Sequence, residues 1–175
     1  MKWDNLIRDV VAASRISFSD LLDQHKGEKF YAFILYTDND CYTILPSANS
    51  VEKYNEKILN SPEGMAAYKW YIGEWSYEAW KGDEFDKICK ELSVASQLAY
   101  ENGLFEEFKK NVHLCMINAL LLLDREGFFG HTKDDIVLFI SSSEYDEAKD
   151  LEDRSAKVLN SPEVYDKFLK RYQSA

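Results

Sequence analysis

A chain of 175 residues is long enough to bury a substantial core within one domain. With 46% hydrophobic and 30% charged residues, seven glycines and three prolines, it is neither collagen-like nor disordered. A net charge of −10 argues against a nucleic-acid partner, since affinity for phosphate comes from Lys and Arg, and suits a basic protein partner better.

Trp3, Leu6, Ile7, Val10, Val11, Ser14, Phe18, Leu21 and Leu22 recur at helical spacing and predict a helix over 3–24, with Ser17 and Ser19 as its weak point. His25-Lys-Gly-Glu28 reads as a loop. Residues 30–36, rich in aromatic and branched side chains, predict a strand that is apolar on both alternations and so covered on both faces. The turn chemistry of Thr37-Asp-Asn-Asp40 leads to a second strand over 41–45, which makes a β-hairpin. Pro46-Ser-Ala-Asn-Ser50 then ends the hairpin, and Asn49 with Glu52 resembles a capping box for a helix over 50–60.

Ser61 followed by Pro62 marks another helix start. The aromatic centre, Tyr68-Lys-Trp-Tyr-Ile-Gly-Glu-Trp-Ser-Tyr-Glu-Ala-Trp80, fits either a continuing helix or an irregular strand. Asp83 is expected to cap a helix to about 101 with Phe85, Ile88, Cys89, Leu92, Ala95 and Leu98 on one face. Residues 104–124 follow as a further helix. Ten of the twelve residues in 112–123 are apolar, interrupted only by His113 and Asn118. Such a run makes about 18 Å of helix, too short to span a bilayer, so it is expected to be buried on all sides, with Gly127 as its C-cap. Residues 135–141 predict a third strand, 145–159 a charged helix, and 161–172 the last helix. Lys57-Ile-Leu-Asn-Ser-Pro-Glu63 and Lys157-Val-Leu-Asn-Ser-Pro-Glu163 nearly repeat, either through duplication of a strand–helix–helix unit or as two independent uses of a good helix start. The fold class is therefore α+β. One domain over 1–175 is expected, with a small, mainly antiparallel sheet packed by several helices around a buried helix 112–123.

Signatures of chemistry are missing from the sequence. It has no Gly-rich phosphate loop, no dinucleotide fingerprint, no His-Glu-x-x-His and no Gly-x-Ser-x-Gly. Cys41, Cys89 and Cys115 fit neither a disulfide framework nor a zinc pattern, and the opening residues lack a signal-peptide run, so a reducing cytoplasm is expected. His25, His113 and His131 are far apart in sequence; His113 reads as a core histidine and His131 as a loop residue. Asp134-Asp135 and Asp38 with Asp40 read as turn and cap residues. No cofactor and no metal are expected. Glu74 and Glu78, four residues apart among the aromatics, are the best candidate for an acid–base pair, as in sugar hydrolysis. The same stretch also suits a binding surface, because Tyr and Trp dominate interface hot spots; as core, its rings would fill much of an interior.

Taken together, the opening Trp-x-x-Leu-Ile, the strand Phe-Tyr-Ala-Phe-Ile-Leu-Tyr-Thr-Asp, Leu-Pro-Ser-Ala-Asn-Ser, Lys-Trp-Tyr-Ile-Gly-Glu-Trp-Ser-Tyr-Glu and Gly127-Phe-Phe-Gly130 resemble the bacterial domain-of-unknown-function family 4303 over most of the chain. The resemblance carries no catalytic residue. A looser similarity extends to toxin-immunity proteins of the broad group related to a yeast cell-wall regulator. With the missing chemistry and the acidic charge, that likeness implies a non-enzymatic cytoplasmic binding protein, most concretely one that neutralises a basic toxin, and the aromatic stretch supplies the expected partner contacts Trp70, Tyr71, Glu74, Trp75, Tyr77 and Glu78. Neither nucleic acid nor membrane is an expected partner. The alternative is a hydrolase using Glu74 and Glu78 in an aromatic cleft.

Overall fold

The computed structural model describes residues 1–130, 135–143 and 145–172, without the side chains of 145–147. Helices α1 (Trp3–Gln24), α2 (Val51–Asn60), α3 (Met65–Trp70), α4 (Asp86–Glu101), α5 (Phe105–Arg125), α6 (Tyr145–Leu159) and α7 (Pro162–Leu169) surround strands β1 (Phe30–Thr37), β2 (Leu45–Ser50), β3 (Tyr77–Glu78) and β4 (Val137–Ser142). The sheet order is β3-β2-β1-β4. Two of its pairings are antiparallel, and the third, β1 with β4, is parallel. The fold is α+β, as the sequence predicts.

β1 is apolar on both alternations because both sheet faces are covered. Phe33 and Leu35 join Leu138, Ile140 and the helices α1, α4 and α5; Ile34 and Phe139 join Trp70, Trp75 and Phe168 on the other side. The register shifts between Phe30 and Ala32, so Tyr31 is an extra residue and falls on the same side as Ala32.

The second strand is not 41–45 but Leu45–Ser50, the stretch expected to end the hairpin. Asp38 causes the displacement. Its carboxylate accepts the backbone N–H of Tyr42 at 3.0 Å and of Thr43 at 2.8 Å, and the Thr43 hydroxyl at 2.6 Å. Those bonds bend 38–43 into a loop, with Cys41 at φ 54°. Pro46 is tolerated in β2 because β3 pairs only with Ser47 and Ala48, leaving no ladder beside the proline on that edge. The cap of α2 is Ser50, which accepts from Lys53 N, whereas Glu52 accepts from Lys29 N. The predicted Asn49–Glu52 box is therefore not formed.

α1 runs unbroken through Ser17, whose hydroxyl donates to Trp80 O at 2.6 Å. α5 departs from expectation. Val112, Cys115, Met116, Ala119, Leu120 and Leu123 are buried, but Leu114 (45% exposed), Asn118 and Leu122 (38%) form an outward stripe at i, i+4, i+8. The helix lies on the outside of one layer and not between two, so one side meets solvent. Gly127 does end it, at φ 74°, with Phe128 N donating to Leu123 O. Leu98 of α4 likewise faces outward, while Ile88 and Leu92 are buried. Among the described residues, no helix is long and apolar enough to cross a membrane.

The free edge of β4 is closed by side chains. Asn160 accepts Leu138 N at 2.9 Å and donates to Leu138 O at 2.7 Å. Ser155 accepts Ile140 N at 3.0 Å and donates to Ile140 O at 3.3 Å. Replacing Asn160 by Ala strands both Leu138 groups, and urea unfolding is expected to show a loss of about 1–3 kcal/mol. Asn60→Ala is expected to be near neutral, because Asn60 is exposed and, among the described residues, bonds only to Glu56 O of its own helix.

Candidate functional site

A cavity of about 370 Å3 opens at the carboxyl ends of the parallel strands β1 and β4. Its size falls in the range of small-ligand and side-chain pockets, and its position follows the rule that parallel strands present sites at their carboxyl ends. β1 supplies Tyr36; β4 and the turn after it supply Ser141, Ser142 and Ser143. Tyr71, Ile72 and Gly73 come from the short 3-10 turn after α3, and Glu78 from β3. α6 closes the far side with Lys149 and Glu152.

Of the six residues expected to contact a partner, the cavity brings together two, Tyr71 and Glu78. Tyr71 is 47% exposed, and Glu78 is also exposed. The Tyr36 hydroxyl donates to Glu78 at 3.2 Å, and burial followed by the Glu78 charge pushes its pKa up, so it remains a donor. The other rings are core. Trp70 packs edge-on against Tyr31 at 5.7 Å and Phe168 at 5.3 Å. Trp75 is 4% exposed and donates its Nε1 to Lys69 O at 3.1 Å. Tyr77, buried on the opposite sheet face, donates to both oxygens of Glu28 at 2.7 Å. Glu74 pairs with Lys57 at 3.2 Å and is not part of the cavity lining. The Glu74–Glu78 pair therefore does not converge.

The sequence reading missed Tyr36, Lys149, Glu152 and the serine run 141–143. Glu152 is the strongest of these, for a carboxylate only 5% exposed needs partners. Ser141 donates to it at 2.7 Å, and Arg171 Nη2 at 3.0 Å. Burial pushes its carboxyl above the usual range against those partners. Arg171 also holds Asp153, which Lys149 pairs at 3.0 Å. The signal that could have found Glu152 is its position among apolar and small residues, Leu151, Ser155 and Ala156, on the buried side of an otherwise charged helix.

The histidines and cysteines lie elsewhere. His25 contacts Glu28 at 3.2 Å and the Tyr77 ring at 4.7 Å, and His113 is half-buried on α5. His131 and Asp134 lie outside the described residues; Asp135 pairs with Lys29 at 2.7 Å. Burial raises the Cys115 thiol to about 12 and Cys41 to about 11, which removes thiolate reactivity. Among the described residues, no three His, Cys, Asp or Glu side chains gather as a metal site would require.

The molecule is thus an α+β protein with helices on both faces of a mixed sheet and a solvent-open cavity at the end of its parallel strands. Residues 10–161 match the domain of unknown function DUF4303, and the chain belongs to that family. No curated protein and no solved structure matches it.

The Glu28 cluster generates a pH prediction. Burial alone would raise this carboxyl, but hydrogen bonds from Ser50 and Tyr77 and the nearby His25 hold it below its ordinary value. A carboxyl lowered by folding stabilises the protein above its unfolded value of 4.5 and loses that contribution as pH falls through the folded one. Stability from urea titrations is expected to fall below pH 4.5 in the wild type and to fall less steeply in Glu28→Gln, which starts lower at neutral pH.

Proposed function

We propose that the protein is a cytoplasmic binding protein of the immunity type, which neutralises a basic toxin by covering its active surface. The observation that carries this reading is the cavity rim, where an exposed tyrosine, Tyr71, and an exposed carboxylate, Glu78, stand together at an open site. Aromatic side chains supply much of the lasting contact energy in protein interfaces. A chain with a net charge of −10 draws a basic partner quickly, and this attraction weakens as salt rises. The rival, a hydrolase acting through Glu74 and Glu78, has less support, because Glu74 is engaged by Lys57 and does not line the cavity.

The test is calorimetric titration with the product of the neighbouring gene, at low and at moderate salt. Association is expected at both, tighter at low salt, with Tyr71→Ala weakening it about tenfold. No association at either salt concentration overturns the proposal.

A further inference from the structure

The cavity at the carboxyl ends of β1 and β4 has a more definite chemistry than an acidic rim. Tyr36 and Ser141 stand opposite one another in the parallel register, so their side chains leave the same face of the sheet side by side. Each hydroxyl donates to a carboxylate, Tyr36 to Glu78 at 3.2 Å and Ser141 to Glu152 at 2.7 Å. Two neighbouring strand positions thus direct two carboxylates, one exposed and one buried, to the same cavity, and both line it.

The charges around this cavity do not balance. Arg171 serves Glu152 and Asp153 together, and Lys149, although it lines the cavity, pairs with Asp153. Three carboxylates, Glu78, Glu152 and Asp153, therefore share two cations, and among the described residues neither cation pairs with Glu78, which accepts only the Tyr36 hydroxyl. Burial holds the Glu152 carboxyl above the usual range in spite of Arg171, as a guanidinium divided between two carboxylates would leave it. One more positive charge would complete the group.

The neutral lining suits a flat cation on an apolar stem. Tyr71 stands half-exposed at the rim, and its ring lies against Gly73, where a Cβ would come within 3.1 Å of it, so the bare backbone lets the ring form a wall. Ile72 and Ala148 add apolar surface, and Ser143 brings a hydroxyl. A guanidinium offers five N–H donors in one plane, stacks on aromatic faces and bonds carboxylate and hydroxyl oxygens at once, whereas a compact ammonium does not match a flat wall.

We infer that this cavity receives an arginine side chain of the protein partner, with the guanidinium between Tyr71 and Glu78 and the methylene stem on Ile72 and Ala148. The inference rests on the reading of the protein as the binder of a basic partner, but its test does not need that partner. The probes are blocked glycine–arginine–glycine tripeptide and the same peptide with citrulline, which keeps the shape and lacks the charge, or with lysine. Each is titrated into the full chain and followed by NMR at the backbone amides of Gly73, Ser141, Ser142 and Ser143. The arginine peptide is expected to bind at least about tenfold more tightly than the citrulline peptide, more tightly than the lysine peptide, and more weakly as salt rises. Glu78→Gln is expected to lower its affinity about tenfold, with an unchanged circular dichroism spectrum and melting temperature because Glu78 is exposed. Glu91→Gln, which removes one charge from α4 on the other side of the sheet, is expected to leave the affinity unchanged. Equal binding of the arginine and citrulline peptides, or equal binding by the wild type and Glu78→Gln, overturns the inference. If the product of the neighbouring gene associates while the arginine peptide shifts none of these amides, the inference falls and the proposed function stands.

Discussion

The structure depends on how the outer edge of β4 is closed. An edge strand with open N–H and C=O groups invites pairing with another chain. In this protein Asn160 and Ser155 each give one donor and one acceptor to a single β4 residue, as a neighbouring strand would. Because both side chains belong to α6 or its end, the helix is locked in register with the strand. Glu152 is thereby placed under Ser141 at one end, and Ser161 is placed to start α7 at the other, where its hydroxyl accepts from Val164 N at 3.4 Å. The cavity at the carboxyl ends of β1 and β4 takes its α6 wall from that one alignment.

A second cavity, of about 450 Å3, lies between α3 and α7 at the amino ends of β1 and β4, and the two cavities differ in charge. At the carboxyl end of the parallel strands, carboxylates and hydroxyls predominate. At the amino end, lysines gather around a buried guanidinium. Arg171 joins the two regions, since it bonds Glu152 of the first while lining the second.

Much of the fold was legible because it follows from periodicity. α1, β1, α5 and α6 declare themselves by spacing and apolar content, and the double apolar alternation of β1 correctly signals two covered faces. What was not legible depends on single side chains acting over distance. Cys41-Tyr-Thr-Ile-Leu45 has strand composition, but one carboxylate, Asp38, takes its N–H groups and bends it. The run 112–123 reads as wholly interior, yet three of its positions meet solvent, because composition does not reveal which side of a helix has a neighbour. The repeated heptapeptide shows the same limit. Ser161 caps its helix, whereas Ser61 makes no such bond and precedes a short 3-10 turn, and only Asn160 of the two asparagines reaches a strand. At the candidate site, aromatic density was visible, but the sequence does not say which rings face inward. Of the six expected partner contacts, Tyr71 and Glu78 reach the cavity, and Glu152 lies seventy-four residues beyond the latter.

The irregularity at Tyr31 has a consequence for how the chain tolerates changes of length. A residue added or lost further along β1 would turn Phe33, Leu35 and their neighbours inside out, exchanging the two layers. At position 31 alone, a deletion would restore simple alternation, with Phe30 and Ala32 on opposite sides as they already are. What would disappear is the phenol that grips the Lys69 carbonyl. The kink thus survives as an anchor for α3, inserted into a strand whose every other position is dictated by the pleat.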